Sequence, residues 1–141
     1  MPLAARELSE QERAYVAGIL DGEGCLGVGW RLKKYVTPTV QVSNTKVELL
    51  HWLSERFGGA VYEHAPREGN RQACYLWTLA GTKALRVIEA ALPYLVIKRE
   101  QARLLLSMRR IGKGYRMKPD DVLQNSRLVT EIHRLNRRGA G

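Results

Sequence analysis

The chain has 141 residues, 45% hydrophobic and 26% charged, enough for one domain with a real core and short for two. Its formal net charge of +9 and pI near 9.9 favour an anionic partner such as nucleic acid. Two distant cysteines, an N-terminus without a signal-like apolar run and the lack of an unbroken apolar stretch argue against a disulfide framework, a zinc site, a secretory leader and a membrane span. The expectation is a soluble intracellular protein. Its charge is uneven: residues 1–95 hold 11 Lys and Arg against 10 Asp and Glu, whereas residues 96–141 hold 12 against 4. A basic C-terminal region follows, although a solvated helix or a membrane-surface segment would carry the same charge.

Ser9-Glu10-Gln11-Glu12 reads as a capping box that starts a helix running to about Asp21, where Gly22 and Gly24 should end it. Val16, Ile19 and Leu20 give this helix an apolar stripe. Gly18 and Gly22 strip another face, at roughly 1 kcal/mol of helix propensity each, a cost best tolerated where a second backbone comes close. Asp21 and Glu23 leave the helix end as oxygen ligands of the type Mg²⁺ prefers. Alternation from Cys25 to Ser43, broken by Lys33-Lys34-Tyr35, predicts a β-hairpin. Leu26, Val28, Trp30, Val36, Val40 and Val42 form its apolar face; Gly27, Gly29, Arg31, Lys33, Thr37, Thr39, Gln41 and Ser43 form the other.

Thr45 to Phe57 has helical spacing and is stopped by Gly58-Gly59. A second hairpin pairs Ala60–His64 with Gln72–Leu79, setting Tyr75, Trp77 and Leu79 against Gln72, Cys74, Leu76 and Thr78. The parity of residues 60–65 is ambiguous, so Tyr62 and Glu63 receive no face. Thr82–Leu92 is helical and Pro93 breaks it; a helix from about Tyr94 to Ile111, a basic loop to Pro119, a helix Asp120–Arg138 and a frayed tail 139–141 complete the chain. The tryptophans Trp30, Trp52 and Trp77 are expected to pack, and Cys25 and Cys74 to be structural thiols. His51, His64 and His133 have no ligand-like spacing. The pattern predicts an α+β fold with an αββαββα core, an antiparallel sheet covered by helices on one face and an open polar face. Such a face suits a nucleic-acid groove; a plain solvated face is the alternative.

Val-Ala-Gly-Ile-Leu-Asp-Gly-Glu-Gly, Val16 to Gly24, closely resembles the sequence that names the LAGLIDADG homing endonucleases. Val40–Lys46 and Leu92–Ala102 also look like segments of that family, in the right order and spacing. The resemblance implies one endonuclease domain over 1–141, with a saddle-shaped sheet whose open face lies on double-stranded DNA. It implies Glu23 as metal ligand with the Gly22 carbonyl beside it, Lys98 near the scissile phosphate and Asn44 ordering solvent. The cofactor would be Mg²⁺ or Mn²⁺, with Ca²⁺ as a non-catalytic substitute. One motif per chain implies a homodimer, with Ala17, Gly18 and Asp21 as interface candidates and Asp21 architectural rather than ligating.

Arg31, Lys33, Thr37, Thr39, Gln41, Gln72, Cys74, Leu76 and Thr78 have the parity to read bases, and Lys113, Arg116 and Lys118 are phosphate contacts or a solvated loop. By the same resemblance the enzyme cuts a long pseudo-palindromic site, leaves 3′ overhangs and spreads a mobile intron. The chain lacks the terminal residues of protein splicing, so a free-standing or intron-encoded enzyme is expected. An intron-RNA maturase and a non-catalytic DNA-binding regulator are the rival readings on the same fold.

Overall fold

The structure is a computed structural model that describes residues 7–31, 35–64, 72–108 and 119–139. Its elements are α1 (Glu10–Glu23), β1 (Gly24–Arg31), β2 (Tyr35–Asn44), α2 (Val47–Phe57), β3 (Ala60–His64), β4 (Cys74–Ala80), α3 (Thr82–Ala91), a 3₁₀ turn (Leu92–Tyr94), α4 (Arg99–Leu106) and α5 (Pro119–Gly139). The strands form one antiparallel sheet in the order β1-β2-β4-β3. Register sets Leu26 opposite Val40, Val40 opposite Leu79 and Val42 opposite Trp77, and all five are buried. Because side chains alternate along a strand, every second residue on these strands must face away from that core. Residues of all five helices join the same core cluster, so the mixed α+β layering expected from the sequence is present.

Two local details fix the sheet. Pro38 lies in β2 opposite Val28, beyond the last pair of β2 with β4, Thr39 opposite Ala80. Its carbonyl accepts from Gly81 N–H at 3.0 Å on the β4 side, so its missing N–H falls where that ladder has already ended. On β1, Asn136 Nδ2 of α5 donates to Leu26 O at 3.0 Å and caps an edge carbonyl.

Trp77 is the largest fully buried side chain; its indole N–H donates to Gly58 O at 2.9 Å. Gly59 has φ +90°, and a Cβ there would come within 2.5 Å of Leu79 Cδ2. The Gly58-Gly59 pair thus ends α2 and also forms a wall of the indole pocket. The capping box forms as expected: Ser9 Oγ accepts from Glu12 N–H at 3.1 Å, and Glu12 Oε1 accepts from Ser9 N–H at 3.3 Å. Arg56 Nε donates to Glu12 Oε2 at 2.7 Å, and this bond, with those to Ser9, holds the Glu12 carboxyl below its ordinary range. The Arg56 guanidinium lies 3.8 Å over the Trp52 ring, which meets Tyr15 edge-on at 5.0 Å.

Several expectations are corrected. α1 does not end at Gly22 but continues to Glu23, and Gly24 caps it, where a Cβ would sit 2.7 Å from Leu20 Cα. β4 begins at Cys74, which leaves Gln72 before the ladder. Of the helix expected over about 94–111, the described part is the end of a 3₁₀ turn, a bend at 96–98 and the short α4, and residues 109–111 lie outside the described residues. Trp30 has core parity yet is 67% exposed, because the hairpin outruns its cover and Val28 is already only half-buried. Cys25 is exposed rather than structural.

Trp77→Ala should cost about 3–5 kcal/mol of folding free energy, measured by urea denaturation, since it removes a buried ring and leaves the Gly58 carbonyl unpaired.

Candidate functional site

The two acids of the motif have different surroundings although they are two residues apart. Asp21, in the last turn of α1, turns its carboxylate to the segment that precedes α4. Its Oδ2 accepts from Val96 N–H at 2.8 Å, and its Oδ1 from Ile97 N–H at 3.2 Å and Lys98 N–H at 3.0 Å. Lys98 Nζ returns to donate to Asp21 O at 2.9 Å, satisfying one of the carbonyls that a helix end leaves without a partner. A cation at that end also meets the negative pole of the helix dipole. Asp21 thus ties the end of α1 to the segment before α4.

Glu23 is the last helical residue and is exposed. Asn44, at the end of β2, accepts through Oδ1 from Lys46 N–H at 2.7 Å. That bond orients the amide, so that Nδ2 donates to Glu23 Oε2. The carboxylate is steered from one side and keeps its other oxygen toward solvent. The fold thus gathers Asp21, Gly22, Glu23, Asn44 and Lys98 at one end of the sheet. The Gly22 carbonyl is among the last four of α1, which lack helical partners.

A Mg²⁺ ion takes one or two carboxylates and completes its shell with water and phosphate oxygens. Glu23 and the Gly22 carbonyl match that donor chemistry. Among the described residues no three His, Cys, Asp or Glu side chains gather as a ligand set.

The sheet face away from the core is the second part of the site. Its rows run Cys25–Gln41–Thr78–Ala60, then Ser43–Leu76–Tyr62, then Cys74–His64, with Gly27–Thr39–Ala80 and Gly29–Thr37 toward the other end. Thr37, Thr39, Gln41, Cys74, Leu76 and Thr78 hold the face expected of them. Register also assigns β3: Ala60, Tyr62 and His64 share the open face, and Val61 and Glu63 share the parity of Trp77 and Tyr75. The sequence alone missed Tyr62 and His64 because β3 has no apolar alternation; only its pairing to β4 reveals its parity.

Arg31 lies in β1 but its side chain is outside the described residues, as are Lys33, Lys113, Arg116 and Lys118. On α1, Gly18 and Gly22 are exposed and a Cβ on either would meet nothing within 4 Å. Ala17, expected at the same helix contact, is instead fully buried in the chain's own core, one residue out of phase with that bare face.

Solved structures with this fold include two of the homing endonuclease I-CvuI. One, in complex with its target Sro1.3 in the presence of 2 mM Ca, has a TM-score of 0.71 and 23% identity, and the match covers 89% of this chain and 82% of that one. The other, with the I-CreI target in the presence of 2 mM Mg and the DNA not cleaved, has a TM-score of 0.70 and 21% identity over 89% and 83%. The archaeal intron-encoded homing endonuclease I-Vdi141I complexed with DNA gives 0.69 and 14% over 89% and 84%. No protein-family profile matches the sequence, and no curated protein matches it. The likeness shows that the chain has the homing-endonuclease fold over most of its length.

The unequal surroundings of the two acids predict unequal effects on stability. Asp21→Asn should destabilise by about 1–3 kcal/mol, because an amide cannot accept from three N–H groups with two oxygens. Glu23→Gln should stay within about 0.5 kcal/mol of the parent, as surface changes do. Thermal denaturation of both variants checks the contrast.

Proposed function

We propose that this chain is a site-specific, double-strand DNA endonuclease of the LAGLIDADG homing type, a magnesium-dependent homodimer that cuts a long pseudo-palindromic site with 3′ overhangs. The observation that carries this reading is the division between the motif acids. Asp21 is taken up by backbone N–H groups, while Glu23 stays exposed beside Asn44 at the end of an open sheet face. Neighbours of the same fold that were solved with DNA support duplex DNA as the ligand.

In this reading Glu23 and the Gly22 carbonyl hold the divalent cation. A cation held there would supply Lewis-acid chemistry, making a bound water more nucleophilic and offsetting charge on the phosphate oxygens. The chain's own groups do the rest. Asn44 restrains the Glu23 carboxylate through its amide. Lys98, tied to Asp21 O, holds an ammonium beside the scissile phosphate and offsets its growing negative charge. The open face positions the duplex so that one phosphate meets this end of the sheet.

Cleavage of two strands needs two such ends, and one chain supplies one Glu23. The exposed backbone at Gly18 and Gly22 gives a second α1 room to approach. Apolar side chains flank it: Tyr15 is 53% exposed, Val96 79% and Ile97 66%. A cluster of that kind on a soluble chain is the mark of an association surface. Magnesium dependence, the overhangs and intron mobility rest on the family resemblance.

The test is incubation with a randomised duplex library and Mg²⁺, followed by sequencing of the cut ends. One recurrent site cut on both strands is the expected result. Glu23→Gln should abolish cutting and Lys98→Ala should slow it by about 10²-fold, both with binding retained. Sequence-specific binding without magnesium-dependent cleavage would point to the regulator instead. Intron splicing that survives Glu23→Gln would point to the maturase.

Gly18→Leu gives a separate check on the dimer. It should leave the chain folded, gaining up to about 1 kcal/mol of helix propensity, yet yield a monomer on size exclusion that no longer cuts both strands. A monomeric parent that cuts both strands would contradict the shared site.

A further inference from the structure

The open face is polar in the main, and among its described residues the largest apolar side chains lie together. Leu76 on β4 lies directly opposite Tyr62 on β3 and, on its other side, opposite Ser43 on β2. Leu76 is half-buried and Tyr62 is 53% exposed, and neither belongs to the core cluster or to the side chains packed against it. Directly opposed residues hold their Cβ atoms about 4.5–5.5 Å apart, so the two side chains form a single apolar patch. The rows on either side carry Gln41 and Thr78, and Cys74 and His64, all with hydrogen-bonding or polar ends.

A leucine cannot donate to or accept from a base edge. Thymine's 5-methyl is the apolar group among the standard base edges in the major groove. We infer that Leu76 and Tyr62 form a sensor for a thymine methyl, at the part of each half-site nearest the cut. The position follows from the fold: Ser43 of the same row precedes Asn44, which bonds Glu23, so the patch belongs to the catalytic end of the sheet. The inference rests on the endonuclease reading, in which duplex DNA lies on the open face of two copies and is cut at the Glu23 end.

The experiment uses the intact protein and the duplex recovered from the randomised library, with binding measured in the absence of divalent cation. Each thymine is replaced in turn by uracil, which keeps the base pair and removes only the methyl. At one thymine in each half-site, close to the cleaved step, uracil should weaken binding about two- to fivefold, the size expected for one buried methyl. Leu76→Ser and Tyr62→Ser should each erase that difference while leaving the effect of uracil elsewhere unchanged. Both side chains lie outside the core cluster, so the variants should keep the parent melting temperature. A site in which no thymine near the cut responds to uracil overturns the sensor, as does a response that survives both variants. A protein that selects no duplex overturns the endonuclease reading itself, and is distinguished by failure before any uracil is introduced.

Discussion

Three backbone N–H groups, those of residues 96 to 98, converge on one carboxylate, and Lys98 turns back to the carbonyl of the same Asp21. Charge-assisted bonds of this kind are the stronger class, and here they join segments 75 to 77 residues apart in the chain. These bonds hold the bend at 96–98, with Val96 and Ile97 exposed, between a 3₁₀ turn and α4. The arrangement fixes three things together: the direction in which α4 leaves, the place of the lysine ammonium, and the pair of apolar side chains beside the bare face of α1.

The same clamp explains why two acids so close in sequence can have separate jobs. A helix advances about 100° per residue, so residues two apart point nearly opposite ways. Asp21 turns toward the chain's own backbone, while Glu23, at the last helical position, turns toward the end of the sheet. Asn44 meets it there because Lys46 N–H has already taken the amide oxygen. The result is a carboxylate directed by neutral hydrogen bonding rather than neutralised by a bonded cation, which leaves its charge available to a ligand.

Much of this was legible in the sequence, and the failures have physical causes. Strand parity in β1, β2 and β4 was readable because one face is buried, and a buried face imposes strict alternation. β3 was not, because it is mostly exposed, and only its register with β4 assigns Tyr62 and His64. The capping box and the Gly58-Gly59 stop were readable because they are local. The helix expected across 94–111 failed because an interaction from distant Asp21 overrides local propensity there. Ala17 was placed at the helix contact by the motif resemblance, which does not say which face of α1 the chain's own core occupies. Trp30 was placed by parity, which says which face a residue takes and not how far the cover extends.

Among the described residues, charge and the open sheet face are separated. The described side chains of the open face include no Asp, Glu, Lys or Arg; they are Thr, Gln, Ser, Cys, Leu, Tyr, His and Ala, with glycines on β1. More than half of the Lys and Arg lie in residues 96–141, outside these strands. A neutral face costs little to desolvate against base edges, and each of its side chains can reject a mismatched partner by shape or by an unmet hydrogen bond. Cations placed elsewhere supply attraction that ignores sequence and falls with salt. In the DNA-binding reading, contacts of the first kind would set the choice of site and contacts of the second its affinity.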